Sequence, residues 1–195
     1  TGELYNEYRL AIVNIDCNYG REIINTIKNS NKFYTLGVHN SADFKASKLE
    51  LLSSGSKFLL SYPSGEITIV SKLIGFYNIY NILASFAIAY SEGISVDLIV
   101  DRIEKFNGVP GRLENIKVRK DFNVFVDYAH TSDGIDNACK ALDSITENNK
   151  IIVFGCGGER DKGKRKLMMI SALKSCQKVI VTSDNPRNEK IENIF

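Results

Sequence analysis

Apolar and polar positions follow two rhythms along this chain. Arg9–Ile15 (RLAIVNI) is a short β-branched run that predicts a strand, with Asp16 at its exit. Arg21–Asn29 predicts a helix and Phe33–Val38 a second strand. Between Lys45 and Ile74 the rhythm drops to period two. The segments KLELL, KFLLSY and EITIV are separated by Ser-Gly and Pro-Ser-Gly turns, which predicts an antiparallel meander. From Gly75 to Glu92 the spacing becomes helical, with Ile79, Ile82, Leu83, Phe86, Ala87 and Tyr90 on one broad face. Val96–Phe106 predicts another helix, with Ile99, Ile103 and Phe106 along one side.

Asn107-Gly-Val-Pro-Gly111 is turn-rich and is the best domain boundary in the sequence. After it, Ile116–Arg119 and Phe122–Val126 predict strands, and Thr131 caps a helix running to about Thr146. Ile151–Gly155 predicts a buried strand, Lys166–Ser175 a helix, Lys178–Thr182 a strand, and a last helix starts near Glu189. This β-α-β-α-β order predicts a parallel sheet with right-handed crossovers, whose strand exits share one edge.

Composition narrows the classes. The 195 residues are 44% hydrophobic and 25% charged, with net charge +2, as in an ordinary soluble globular protein of one or two domains. The balanced charge gives no electrostatic argument for nucleic acid or a membrane surface. The four cysteines are scattered without a CxxC pair, which predicts free thiols in a reducing cytoplasm rather than a zinc site. No apolar run is long enough to span a bilayer. The chain begins at Thr1 and stops inside an expected helix, so a piece of a longer protein is expected.

Three strand exits of the second half carry polar clusters: Asp127-Tyr-Ala-His-Thr131, Gly157–Arg165 and Asp184-Asn-Pro-Arg187. Arg160 and Arg187 offer planar forks suited to a carboxylate, and Lys164 a point charge suited to phosphate. Gly158, Gly163 and Lys164 have the spacing of a phosphate loop, but Arg165 stands where Ser or Thr would hold magnesium. Four basic residues at a helix start oppose its dipole and call for an anion. These residues leave three readings open: an amino-acid site, a degenerate phosphate-loop NTPase, and a non-catalytic small-molecule-binding module.

GVPGRLE (Gly108–Glu114), VDYAHTSDG (Val126–Gly134), VFGCGGERDKGKRKLM (Val153–Met168) and TSDNPR (Thr182–Arg187), in this order, resemble the Mur ligase family. Gly75-Phe-Tyr-Asn-Ile-Tyr-Asn81 resembles that family's G-x-F-N-x-x-N segment, although Tyr77 replaces the usual Phe, and Ser132 replaces the usual Pro after His-Thr. The resemblance implies an α/β fold. The latter part of a mixed-sheet ATPase domain (1–110), with a small antiparallel meander, precedes the first part of a Rossmann-like, amino-acid-binding domain (111–195). It also implies a cytoplasmic, monomeric, ATP-dependent ligase of peptidoglycan precursor synthesis. That enzyme would join meso-2,6-diaminopimelate to UDP-N-acetylmuramoyl-L-alanyl-D-glutamate through an acyl phosphate.

The resemblance further implies site residues. Asn78 and Asn81 lie near adenine, and Arg112, Asp127 and His130 hold ATP. Arg160 grips a diaminopimelate carboxylate, and Asp184, Asn185, Pro186 and Arg187 form the amino-acid recognition motif. Family members that add lysine lack the last arginine of that motif, so Arg187 points to diaminopimelate. The family's phosphate loop, magnesium ligands and carbamylated lysine match no segment of this sequence, so the catalytic residues and the Mg²⁺ site are expected elsewhere in the enzyme.

Overall fold

The computed structural model describes residues 10–27, 32–118, 121–143, 145–146 and 149–194. The chain divides between Asn107 and Gly108 into two units.

The first unit is a five-stranded sheet in sequential order, built from β1 (Leu10–Asn14), β2 (Lys32–Gly37), β3 (Phe44–Leu52), β4 (Gly55–Tyr62) and β5 (Gly65–Ser71). The expected parallel strands and the expected meander therefore form one mixed sheet. β1 runs parallel to β2, and β3–β4–β5 are antiparallel hairpins. β3 starts beside the last two residues of β2 and runs on past them in the same direction. That stagger lets a short loop join parallel neighbours that would otherwise need a long crossover. Thr35 and Asp43 close the loop, the Thr35 N–H and hydroxyl both donating to Asp43 Oδ2, at 2.8 and 2.6 Å.

Helix α1 (Asn18–Ile27) begins earlier than its expected start at Arg21, and the expected end at Asn29 lies outside the described residues. Asn-Tyr-Gly looks like a turn in sequence. In the structure it is the first helical turn, and Gly20 lets it press on β1, since a Cβ there would sit 1.7 Å from the Asn14 carbonyl oxygen.

Helix α2 (Phe76–Ser91) lies on the sheet and buries Ile79, Ile82, Leu83, Phe86 and Ala87, five of the six apolar positions that its periodicity singles out. They meet Phe44, Phe58, Leu60 and Ile69 from the strands. Phe44 meets Tyr34, Phe86 and Tyr90 edge-on at 5.3, 6.1 and 5.7 Å, and Tyr62 meets Phe86 and Tyr90 at 5.6 and 5.5 Å. Helix α3 (Val96–Lys105) adds Ile99 to this core.

In the second unit, β6 (Glu114–Ile116) and β7 (Val124–Val126) form an antiparallel ladder. The first strand sits two residues before its expected place, and Arg119 lies outside the described residues. Helix α4 (Ser132–Asp143), β8 (Ile151–Phe154), helix α5 (Gly163–Ser175) and β9 (Lys178–Val181) follow. β8 and β9 pair in parallel, as the crossover helix requires. Of the expected parallel sheet the β8–β9 pair is present, while among the described residues β7 pairs antiparallel with β6. Ile135, Cys139, Cys156, Met168 and Ala172 form the core under α4 and α5. The expected last helix is a 3₁₀ turn at Ile191–Asn193, and Glu189 is drawn into a tighter turn before it.

Candidate functional site

The exits of β8 and β9 are stitched together by main chain. Thr182 N–H donates to the Phe154 carbonyl at 3.0 Å, and Gly158 N–H donates to the Asn185 carbonyl at 2.9 Å. Only glycine fits at 158, since a Cβ would lie 1.9 Å from the Pro186 carbonyl oxygen. Arg187 sits on the other side of this contact and donates from Nη1 to the Gly158 carbonyl at 2.6 Å. Arg160 and Arg187 both flank Gly157: Arg187 Nη1 and Arg160 Cγ are 3.1 and 3.8 Å from where a Cβ on Gly157 would stand. The two expected carboxylate-binding arginines thus share one patch. Arg160 is exposed and makes no hydrogen bond or ion pair among the described residues.

A carboxylate not foreseen in the sequence holds the two loops in place. Glu189 accepts the Arg165 guanidinium in a fork, Nη1 to Oε1 at 3.0 Å and Nη2 to Oε2 at 2.7 Å. It also accepts the Glu159 N–H at 2.9 Å and meets Lys162 Nζ at 3.3 Å. The Arg165 and Glu189 side chains are 11% and 8% exposed. The guanidinium holds the Glu189 carboxyl at about 2, helped by the Glu159 N–H and opposed by burial. In turn Glu189 raises the Arg165 pKa. Arg165 also reaches the Asn193 carbonyl at 3.1 Å.

This hub disposes of the phosphate-loop reading. Such a loop needs its backbone amides free to face phosphate. Here the amides of Gly158, Glu159 and Gly163 donate to Asn185 O, Glu189 Oε2 and Asp161 Oδ1, each at 2.9 Å. The basic run is also corrected. Helix α5 begins at Gly163, so Lys164 and Arg165 lie in its first turn and are not unpaired. Lys164 Nζ donates to the His130 carbonyl at 3.1 Å, and the anion joining Arg165 and Lys162 is the chain's own Glu189. Of the basic residues 160, 162, 164 and 165, only Arg160 stays uncommitted among the described residues.

The β7 exit gathers the other expected residues. Asp127 Oδ2 accepts the Leu113 N–H at 2.7 Å, which seats Arg112 beside Tyr128 with its guanidinium carbon 4.7 Å from the ring centroid. His130 packs edge-on to the same ring at 5.1 Å, and its Nδ1 lies 3.0 Å from the Tyr128 carbonyl. Arg112, Asp127 and His130 therefore cluster around Tyr128, and Lys164 ties that cluster to the β8 exit. Leu113, Glu159 and Arg187 all have left-handed backbones, with φ of +44°, +52° and +51°. In each the N–H is held by a side-chain oxygen, of Asp127, Glu189 and Asn185 respectively. Such conformations are costly for residues with a Cβ and gather at functional sites.

In the first unit, Asn78 is buried, and its amide donates to the Ile74 carbonyl at 2.8 Å and accepts from Asn81 at 2.9 Å. Asn78 thus locks the start of α2, while Asn81 is exposed one turn on. Sequence reasoning missed the role of Asp16. Its carboxylate collects the N–H groups of Val38, His39 and Asn40 at 2.6, 3.0 and 2.9 Å, with the Asn40 amide at 2.7 Å and the Tyr80 hydroxyl at 2.8 Å. Burial alone would raise this carboxyl, but those donors outweigh it and hold it far below the usual range. An acid at a strand exit was visible in sequence. The successive amides of Val38–Asn40 were not. Among the described residues no group of three or more His, Cys, Asp or Glu could hold a metal ion.

A five-stranded mixed sheet followed by an α/β unit with polar strand exits defines the class. Residues 2–89 match the family model of the Mur ligase middle domain, and residues 111–195 that of the Mur ligase glutamate ligase domain. The chain belongs to the Mur ligase family. It is 41% identical over 179 residues to UDP-N-acetylmuramoyl-L-alanyl-D-glutamate–2,6-diaminopimelate ligase of Syntrophomonas wolfei, covering 92% of this chain and 36% of that one. It is 39% identical over 194 residues to ligase 1 of that name from Clostridium acetobutylicum, covering 98% and 40%. A solved structure of such a ligase superposes with a TM-score of 0.64 at 35% identity, over 95% of this chain and 39% of the other. The chain therefore spans about 36–40% of the length of these relatives.

Proposed function

We propose that residues 1–110 are the latter part of the middle domain, and residues 111–195 the first part of the amino-acid-binding domain, of an ATP-dependent amide-forming ligase. That enzyme adds meso-2,6-diaminopimelate to UDP-N-acetylmuramoyl-L-alanyl-D-glutamate in the cytoplasm. The observation that carries the reading is the pair Arg160 and Arg187 on either side of Gly157, beside a loop whose Gly158, Glu159 and Gly163 amides are already engaged. Such a patch presents two guanidinium groups to a free carboxylate, and the engaged amides leave a poor cradle for a phosphate chain.

The chemistry follows from the substrate. ATP phosphorylates the D-glutamate carboxylate, releasing ADP. The amine of the diamino acid then attacks the acyl carbon, an amide bond forms, phosphate leaves and the amine loses a proton. This chain's part is to hold the reactants. Arg160 and Arg187 bind the far carboxylate, so the amine is presented at a fixed distance from them. Arg112, Asp127 and His130, gathered around Tyr128, form the nucleotide-facing patch of the second unit. Magnesium, held by residues outside this segment, would offset phosphate charge.

Selectivity against lysine follows from the unpaired cation that lysine would leave. A site built around a polar partner rejects analogues lacking it by roughly 10⁴–10⁵. The test is ADP release by the intact enzyme, which should depend on both diaminopimelate and the UDP-linked dipeptide. The 195-residue segment alone should release no phosphate, and amino-acid-dependent phosphate release by it would overturn the proposal.

A further inference from the structure

We infer that the buried pair Arg165–Glu189 is a positioning device that sets the spacing of Arg160 and Arg187, and hence the selectivity for a diamino acid with two carboxylates. The inference rests on the ligase reading above. Neither residue is offered as a contact with substrate.

The argument starts from the rigid element. Helix α5 is fixed on the core of its unit by Met168 and Ala172, both buried, so the first helical turn that carries Arg165 has a fixed place. Arg165 projects from that turn and grips both Glu189 oxygens. From this anchored carboxylate two connections run outward. One goes to the Glu159 N–H, the residue just before Arg160, and holds it in a left-handed conformation that a side chain disfavours. The other runs through Glu189's own main chain, whose N–H donates to the Pro186 carbonyl at 3.0 Å and closes the turn Pro186–Glu189. Arg187 is the second residue of that turn and is also left-handed. One carboxylate therefore fixes the backbone beside both arginines.

The chemistry of the pair fits this role. A bidentate fork defines direction as well as distance, which a lysine ammonium would not. Burial on both sides leaves little room for either group to swing. Arg165 Nε is buried and has no partner among the described residues, a cost that the fold carries while the two Nη atoms serve Glu189. A surface salt bridge formed for solubility would show none of these features.

The test is steady-state kinetics of the intact enzyme, with a double-mutant cycle between Glu189→Gln and Arg187→Ala and with Arg165→Lys as an independent second variant. Glu189→Gln keeps shape and loses charge, and Arg165→Lys keeps charge and loses the fork. Each should raise the KM for diaminopimelate by about tenfold or more, with the KM for ATP changed by less than about twofold. Discrimination between diaminopimelate and lysine should fall in parallel. Arg187→Ala should cost much less in the Glu189→Gln background than in the parent enzyme, because Arg187 has already lost its place. Equal costs of Arg187→Ala in both backgrounds would overturn the inference, and so would parallel rises in the KM of every substrate. Should Glu189→Gln fail to fold, the split between the two KM values in Arg165→Lys decides the matter. Absence of diaminopimelate-dependent ADP release by the unmodified enzyme is a different failure, because it removes the ligase reading and this inference with it.

Discussion

Replacing Gly158 by alanine is the sharpest perturbation of the proposed amino-acid wall. The new methyl would stand 1.9 Å from the Pro186 carbonyl oxygen, 2.6 Å from its carbon and 3.1 Å from Glu189 Cβ. Ordinary contacts between such atoms are about 3.5 Å, so the β9 exit must retreat by more than about 1 Å. That retreat breaks the Gly158 N–H bond to Asn185 and the Arg187 bond to the Gly158 carbonyl. Two hydrogen bonds, one of them charged, contribute about 2–4 kcal/mol, and overpacking strain adds about 1–3 kcal/mol if the loop stays in place. The loop will therefore move, carrying Arg187 away from Arg160. A 1 Å misplacement of a binding group costs roughly 10²-fold in rate. Assayed as ADP release by the intact enzyme, Gly158→Ala should lower kcat/KM for diaminopimelate by about 100-fold and leave the KM for ATP within about threefold. Gly157→Ala is the control. Its methyl would come closer than ordinary contact only to Arg187 Nη1, at 3.1 Å, a side-chain end rather than backbone. Asn185 O and Arg160 Cγ stand at 3.7 and 3.8 Å, so the loss should be several times smaller. A Gly158→Ala enzyme with unchanged diaminopimelate kinetics would refute the placement of the β9 exit.

Other consequences follow from the same contacts. The Glu189 carboxyl is lowered from 4.5 to about 2, so its stabilising effect is complete above the ordinary value and is lost as pH falls through the folded one. Urea midpoints of the intact protein should drop across that acid range, and Glu189→Gln should flatten the drop; a parallel curve for the variant would contradict the assignment. Asp16→Ala strands the amides of Val38–Asn40 and should cost about 2–4 kcal/mol, against about 1 kcal/mol for Tyr80→Phe, which removes one donor of five. Chemical denaturation checks that order, and equal losses would show that the network is not centred on Asp16. The Cys139 thiol is pushed up to about 12 by burial and by Cys176, whose sulfur lies 3.6 Å away. Exposed Cys17 should therefore be alkylated by iodoacetamide well before Cys139, as peptide mapping would show.

The secondary structure was largely legible because long apolar periodicities report burial directly. The spacing of Ile79, Ile82, Leu83, Phe86 and Ala87 fixes both the existence of α2 and the face it buries. Local chemistry misled where tertiary contact decides conformation. Asn-Tyr-Gly became a helical first turn because Gly20 packs against β1, and Lys164–Arg165 became helix because Glu189 neutralises that end. Family motifs singled out the candidate site residues, and the strand exits bring Arg160 near Arg187. The roles of Asp16, Arg165 and Glu189 were hidden for a common reason. Each acts through backbone amides or a partner side chain more than twenty residues away in sequence, and no local pattern encodes that pairing.

The central claim is that Arg187 reads the second carboxylate of a diamino acid. The most direct measurement is kcat/KM of the intact enzyme and its Arg187→Ala variant for meso-2,6-diaminopimelate and for lysine, with the KM for ATP in parallel. The account predicts a large loss for diaminopimelate, little change for lysine and little change in the KM for ATP. Equal losses for both amino acids, or for amino acid and ATP alike, would contradict it.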